Sequence, residues 1–282
     1  MPLLIVPTPI GNLGDITARG LDALKSADVI ACEDTRRTLK LLNHFGIKKP
    51  LVSYHRHNER SRSDAILGRL ERGEVVALVS DSGAPGISDP GHVIIEAAIE
   101  RGVEVDALPG ANAVLPALLM SGLPAREFFF AGFVDGNESE MESKLGDLRD
   151  IRATLVFYAA PHDILKFLSS ASRAFGSRRG AIAREISKAH QETIRGSLFE
   201  LLETAKAREL KGEMAVVVEG DVPSSDDIPP ENWERLAIEM KKAGIWDKEI
   251  ANVLFASYGI PRNRVKNFLT RGAHGGERDE QH

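Results

Sequence analysis

Two carboxylates, Asp81 and Asp89, stand in a turn rich in glycine and proline, SDSGAPGISDPG (residues 80–91), which directly follows the apolar run 75–79. Carboxylates placed in this way could hold a metal ion for a nucleotide hydrolase. The apolar run predicts a buried strand, and an apolar-periodic stretch after the turn predicts a helix. Open α/β sheets bind ligands at this position, where glycines let another group approach the backbone closely. The turn is therefore a candidate binding site.

Two further turns have the same placement in the chain. Residues 8–15 follow the apolar run 3–6, and residues 108–113 follow the run 103–107. None of the three turns has the spacing of a dinucleotide-binding loop or of a Walker A loop. Any one of them could simply connect a strand to a helix, but three in one chain weaken that explanation.

Short apolar segments alternate with helical patterns through residue 110, which predicts an α/β domain. The predicted strands are 3–6, 29–32, 51–53, 75–79 and 103–107, and the predicted helices are 19–27, 35–45 and 60–72. A helix over 112–122 leads to a strand over 128–133, where the domain junction is expected. A second α/β set follows, with strands 154–158, 180–184 and 213–219 and helices 161–175 and 198–210.

A polar, proline-bearing linker is predicted at residues 221–230, and the chain after it has helical periodicity. Apolar residues spaced for two helices flank Gly259, as in a helix-turn-helix. The second of these helices would present the basic residues Arg262, Arg264 and Lys266. A plain amphipathic helix pair that packs on the domain explains the same pattern, and the sequence does not separate the two interpretations.

Composition excludes several classes of protein. The chain has 282 residues and a formal net charge of −5, which argues against coating nucleic acid by bulk electrostatics, so RNA binding would need local basic patches. Its apolar runs are far shorter than the roughly 20 residues that span a bilayer, and no basic leader precedes the first strand. A cytoplasmic protein without a membrane partner is expected. The single cysteine, Cys32, excludes an internal disulfide and is expected to be buried.

The three turns, together with CEDTR (residues 32–36), resemble the bacterial small-subunit ribosomal RNA cytidine 2′-O-methyltransferases of the tetrapyrrole methylase superfamily. The resemblance runs in register from about Leu3 to Gly220 and includes residues 53–55, 58–59, 155–158, 184–185 and 211–213. It implies two α/β domains with a cleft between them and a small helical C-terminal tail, divided as 1–115, 116–222 and 223–282.

The same resemblance implies the reaction and its participants. The cofactor would be S-adenosylmethionine, and the partner would be 16S ribosomal RNA, within the small ribosomal subunit. The expected product carries a methyl group on the ribose 2′-oxygen of cytidine 1402, in the decoding centre. Members of the family are homodimers, so a homodimer is expected here as well.

Cofactor-binding positions follow from the matched motifs. Asp81, Gly83 and Ala84 would line the methionine end, with Ser88 close by, and Pro9 of the first turn is assigned to the same site. Ala111 and Asn112 stand where the family has a Pro-Ser pair, so a hydroxyl contact would be lost while the backbone role survives. The adenine side would be formed by Tyr158, Ala183, Gly212, Glu213, Met214 and Ala215.

Methyl transfer is an in-line displacement, for which an enzyme aligns donor and acceptor and helps to remove the acceptor proton. Because a ribose hydroxyl is a weak acid, a base is useful. The candidates for a base or a positioning group are Asp15, Glu33 and Asp34, with His55 and His57 as further possibilities. Asp15 could instead cap the helix that follows it, and Glu33 or Asp34 could cap the helix that begins at residue 35.

The residues assigned to the substrate are polar or basic. Asn12, Arg36 and Arg37 are interpreted as positioning groups, because arginine matches the geometry of phosphate. His55 and His57 could hold a metal, but no third ligand stands at a useful spacing, so no metal site is predicted. Together with Asn58, the two histidines are interpreted as a polar rim that contacts RNA. Arg262, Arg264 and Lys266 of the tail are assigned to RNA as well.

One segment departs from the family pattern. Residues 135–150 are acidic where many members carry a basic loop, and an acidic loop there would repel phosphate. Two alternatives to RNA methylation therefore stay open beside the metal-dependent hydrolase. One is a small-molecule, corrin-type methylase of the same superfamily, and the other is an RNA-binding protein that keeps the fold without transferring methyl groups.

Overall fold

The computed structural model describes residues 2–221 and 233–273. The chain divides into two compact units, Met1–Asp221 and Val222–His282. The first unit contains two five-stranded sheets with their helices, and the second is helical over its described part. The predicted linker lies outside the described residues except for Asp221.

The first sheet is parallel throughout, with the strand order β3-β2-β4-β1-β5. Its strands are β1 (Leu3–Ile5), β2 (Val29–Cys32), β3 (Leu51–Ser53), β4 (Val76–Val79) and β5 (Val105–Ala107). Its helices are α1 (Ala18–Ser26), α2 (Thr35–His44), α3 (Glu59–Glu71) and α4 (His92–Glu100). Successive strand residues point into separate apolar clusters on the two faces of the sheet, which explains why the central strands read as continuous apolar runs. Cys32 is buried, as predicted.

The second sheet is mixed, with the order β6-β7-β10-β8-β9. β6 is parallel to β7, and the other neighbours are antiparallel. The strands are β6 (Phe128–Phe133), β7 (Thr154–Ala159), β8 (Arg179–Arg184), β9 (Glu192–Ser197) and β10 (Met214–Val218). One face packs against α6 (Glu138–Gly146), α7 (Ile164–Phe175) and α8 (Leu198–Ala207), and the other against α5 (Val114–Ser121). The predicted fold class is confirmed. The predicted boundary at 115/116 falls within α5, and the division into 1–115, 116–222 and 223–282 stays a prediction.

Two elements differ from the sequence-based expectation. β9 was not predicted, because this edge strand is only partly buried and has no apolar run. No helix was predicted within the acidic segment, where residues 138–146 form α6. Asn137 and Glu140 form a reciprocal capping box that starts α6, and Met141 and Leu145 bury its inner face. The acidic side chains Glu138 and Glu142 pair with Arg173 of α7.

Over its described residues, 233–273, the second unit is a cluster of three helices, α9 (Trp233–Lys242), α10 (Asp247–Tyr258) and α11 (Arg262–Ala273). Gly259 ends α10 in a left-handed conformation with a φ of 66°, a geometry that favours glycine. The apolar core of this unit includes Trp233, Leu254 and Val265. The predicted pair of helices joined by a glycine turn is therefore present, with a third helix packed against it.

Candidate functional site

The loops after β1 and β4 are joined to each other by backbone hydrogen bonds. The amide of Thr8 donates to the carbonyl of Gly83 and the amide of Gly83 donates to the carbonyl of Thr8, both at 2.9 Å. The Ser80 hydroxyl donates to the Gly83 carbonyl at 3.0 Å, and the Thr8 hydroxyl donates to the Ser80 carbonyl at 3.1 Å. Gly83 has a φ of 82°, which a residue with a side chain rarely adopts. These hydrogen bonds hold the first two of the three turns together.

A cavity of about 310 Å³ opens beside this junction, between the carboxyl edge of the first sheet and the strands β7 and β10. Seven of the predicted cofactor residues line it: Gly83, Ala84, Ser88, Asn112, Tyr158, Glu213 and Ala215, together with Met214 of the same predicted segment. Further lining residues, among them Ile10, Ile87, Asp89, Phe133 and Ile186, were not assigned to it from the sequence. Small and apolar side chains therefore form most of the wall.

Five predicted cofactor residues do not line this cavity. Pro9 and Asp81 line a separate cavity of about 200 Å³ beside α2. Ala183 is fully buried within β8 behind the wall, and Gly212 lies against the Glu185 carboxylate with a φ of 85°. Ala111 contributes a carbonyl near Gly83. Their role toward a cofactor stays a prediction.

The first turn reaches across to the loop between β8 and β9. The Ser187 hydroxyl donates to the Asp15 carboxylate at 2.5 Å, so Asp15 fixes one end of the cleft. Thr17, not Asp15, caps α1, because its hydroxyl accepts from the Gly20 amide. Asn12 caps the short 3₁₀ turn by accepting from the Gly14 amide at 2.9 Å.

Three carboxylates at the ends of β2 and β4 have distinct surroundings. Glu33 accepts a hydrogen bond from the backbone of Asp81, while Asp81 accepts one from the Asp34 amide at 2.9 Å. Burial raises the pKa of Glu33, and the charge of Asp81 raises it further. Asp34 caps α2 through the Arg36 amide and pairs with the Arg36 guanidinium at 2.8 Å, which lowers its pKa to about 2. The alternative interpretation of Asp34 as a helix cap is thus confirmed.

Asp89 is the most perturbed carboxyl group on the cavity wall. Its pKa is raised to about 6, chiefly by burial and in part by the charges of Glu33 and Asp81. The positive charge of Arg56 lowers the pKa and partly offsets these effects. The Arg56 guanidinium donates to the Ser88 carbonyl at 2.5 Å, directly before Asp89 in the chain. The signal that could have found Asp89 was its position in the glycine-rich turn, at the carboxyl edge of the sheet.

The predicted polar rim lies at the start of α3. The Asn58 side chain accepts from the His55 amide at 2.8 Å and lies 3.2 Å from the His55 ring nitrogen Nε2. The His55 and His57 rings are 5.9 Å apart. Arg37 of α2 lies 3.5 Å from Asp81. In residues 2–221 and 233–273, no group of three or more His, Cys, Asp or Glu side chains is placed to hold a metal ion.

The predicted basic residues of the second unit are partly engaged within it. The Arg262 guanidinium stacks on Phe255 at 3.8 Å from the ring centre and donates to Asn252 at 2.8 Å. The Arg264 guanidinium lies 5.4 Å from the centre of a Trp233 ring. Lys266 is exposed. None of the helices in the described ranges is long and apolar enough to cross a membrane.

Comparison with known proteins identifies the family. The model of the Tetrapyrrole (Corrin/Porphyrin) Methylases matches residues 2–202 of the chain. The chain belongs to this family. A relative from Bacillus subtilis, named ribosomal RNA small subunit methyltransferase I, is 44% identical over 268 residues, which cover 93% of this chain and 92% of the relative. The predicted resemblance is confirmed.

Solved structures show the same fold. A diphthine synthase with 19% identity covers 78% of this chain and 90% of its own, with a TM-score of 0.62. A uroporphyrin-III C-methyltransferase from Thermus thermophilus, complexed with S-adenyl homocysteine, has 18% identity and a TM-score of 0.55, and covers 78% of this chain and 97% of its own.

Proposed function

We propose that this protein transfers a methyl group from S-adenosylmethionine to the ribose 2′-oxygen of a cytidine in 16S ribosomal RNA, cytidine 1402 in the decoding centre. The observation that carries the proposal is the cavity between the two sheets, built by the loops whose motifs match the family. The name and the high coverage of the Bacillus subtilis relative support RNA as the substrate.

The cavity wall suits this cofactor. Its volume of about 310 Å³ lies within the roughly 300–1,000 Å³ of small-molecule sites. Gly83, Ala84 and Ala113 leave backbone and small side chains at the surface of the cavity. Among the described residues, no lysine or arginine lines it to repel a sulfonium. Tyr158 is held by Phe130, at 4.9 Å between ring centres, and offers an aromatic edge to the adenine. When bound, S-adenosylmethionine supplies an activated methyl group.

The chain's own groups align the acceptor. Arg37 and Arg56 lie on the first unit near the carboxylates of the cleft, where exposed guanidinium groups can hold the phosphates that flank the target ribose. Asp34 is a poor base, because its ion pair with Arg36 lowers its pKa to about 2. Of the three carboxylates considered as bases from the sequence, Glu33 keeps a raised pKa near the cleft.

A homodimer belongs to the same proposal. The edge strand β6 exposes Phe128 and Phe129, each about two-fifths accessible, and α5 exposes Leu119, at 72%. Exposed apolar side chains of this size suit a contact with a second copy. Light scattering coupled to size exclusion tests it, with a dimer mass expected and a monomer mass against it. Methylation of ribosomal RNA would take place in the cytoplasm.

Transfer of labelled methyl groups from S-adenosylmethionine to small ribosomal subunits that lack the modification tests the function. Ala84→Phe fills the cavity and should abolish both cofactor binding and transfer. The exposed Ala207→Phe on α8 is the matched control and should leave both unchanged. Cofactor binding without transfer to RNA would favour the non-catalytic RNA-binding protein, and transfer only to a corrin would favour the small-molecule methylase.

A further inference from the structure

Within residues 2–221 and 233–273, two carboxylates line the cavity, Asp89 and Glu213, and their surroundings differ. Glu213 is 71% exposed and lies 2.9 Å from the Lys188 ammonium, which also pairs with Glu185 at 2.9 Å. Asp89 forms no ion pair with any side chain in the described ranges. A carboxylate without a cationic partner, half buried on the wall of a cavity, can accept a proton from a group bound there.

The groups that face Asp89 come from four different elements. Glu33 follows β2, Asp81 follows β4, Arg56 follows β3, and Tyr158 lies on β7. Glu33 accepts from the Asp81 backbone and cannot turn into the cavity without breaking this hydrogen bond. Burial and the charge of Asp89 together raise the pKa of Tyr158, so the phenol stays protonated.

The backbone that carries Asp89 is held in place. Ser88 has a φ of 62°, a left-handed conformation that a residue other than glycine rarely adopts. A Cβ placed on Gly132 of β6 would lie 3.3 Å from the Ser88 hydroxyl, so the second sheet packs closely on this turn. The hydrogen bond from Arg56 to the Ser88 carbonyl fixes it from the other side. The turn that carries Asp89 is therefore held from both sides.

We propose that Asp89, rather than Glu33, accepts the proton of the ribose 2′-hydroxyl, with Glu33 acting as a positioning residue behind it. This inference rests on the proposed function. The 2′-oxygen forms a bond to the methyl carbon while the bond from that carbon to the donor sulfur breaks and leaves its electron pair on sulfur. The hydroxyl proton passes to the Asp89 carboxylate and from there to water. Arg56 holds the adjoining phosphate in register.

Kinetics of Asp89→Asn across pH test the assignment, with cofactor affinity measured separately by calorimetry. The wild-type kcat/KM, which reports the ionisations of the free protein, should rise with pH through an apparent pKa near 6 and then level off. In Asp89→Asn, kcat/KM should fall roughly 100-fold or more through kcat and lose this acid limb, with the cofactor Kd unchanged. Glu33→Gln removes a neighbouring charge that raises the pKa of Asp89, so its acid limb should move to lower pH. If Asp89 had only a structural role, Glu33→Gln would not shift the acid limb.

The control is Asp22→Asn, on α1, whose side chain is 77% exposed and which should keep wild-type values. An acid limb that persists in Asp89→Asn would overturn the assignment. Weaker cofactor binding with kcat intact would overturn it as well, because Asp89 would then only bind the cofactor. Wild-type protein that forms no methylcytidine would overturn the proposed function itself, a result that is distinguishable from both.

Discussion

Replacing Asp89 with asparagine should stabilise the folded protein while it removes activity. The pKa of this carboxyl group is about 6 in the folded chain, against an ordinary value of 3.8. A difference of this size corresponds to about 3 kcal/mol of cost for holding the charge in the fold. Because the group is partly exposed, solvent screening leaves about 1–2 kcal/mol. Asparagine has no charge to bury and should recover this amount at about pH 8.

The pH dependence follows from the sign of the shift. On acidification, Asp89 takes up a proton at higher pH in the folded state than in the unfolded state. The contribution of Asp89 to the free energy of unfolding of the wild type therefore increases as pH falls from about 7 to about 4. The advantage of Asp89→Asn should therefore be largest at about pH 8 and vanish near pH 4. Urea unfolding of both proteins at the two pH values measures it.

Asp163, in the same unit, provides a control whose pKa is shifted in the opposite direction. Lys166 lies 2.8 Å from Asp163 and lowers the pKa of that carboxyl group. Asp163→Asn should therefore lose stability at about pH 8, and this loss should disappear on acidification. Equal stability of wild type and Asp89→Asn at about pH 8, or a gain that does not change with pH, would refute the reasoning about Asp89.

Further outcomes follow from the packing of each unit. Phe157→Ala should reduce the free energy of unfolding by about 3–5 kcal/mol, because this ring is fully buried beside Phe167, whereas the half-exposed Phe199→Ala should change it far less. Asn137→Ala should cost about 1 kcal/mol in thermal or urea unfolding through loss of the capping box of α6, and an unchanged midpoint would contradict that role. If the second unit contacts RNA, replacing Arg262, Arg264 and Lys266 with alanine should weaken binding and reduce its salt slope by about 2, as measured by titration at several salt concentrations. An equal loss in the matched triple alanine variant of Arg235, Lys242 and Lys248 would show that bulk charge, not this face, is responsible.

Much of the fold was predictable, because the parallel strands are buried on both faces and bounded by glycine turns. The residues that meet across the cleft were harder to predict. Phe133 at the end of β6 and Ile186 in the loop after β8 reach the cavity from segments far apart in sequence, and only the packing of the second sheet brings them together. Asp81 was expected at the cofactor, yet its carboxylate accepts from the Asp34 amide, a contact set by the alignment of β2 and β4.

Other differences arose from local signals that were overlooked or absent. The spacing of Asn137 and Glu140 is that of a capping box and could have predicted α6 inside the acidic segment. β9 carries little sequence signal, because an edge strand that pairs through its backbone needs no apolar run. The pKa of Asp89 depends on burial, on the charge of Glu33 from another loop and on that of Asp81 from the same turn, so the sequence alone could not distinguish it from its neighbours.

The most direct test of the central claim is mass spectrometry of 16S ribosomal RNA after wild-type protein acts with S-adenosylmethionine on small subunits that lack the modification. Digestion of the RNA should yield a fragment with one added methyl group at cytidine 1402, and nucleoside analysis should identify 2′-O-methylcytidine. Unmodified RNA from subunits incubated with protein shown to bind the cofactor would contradict the account.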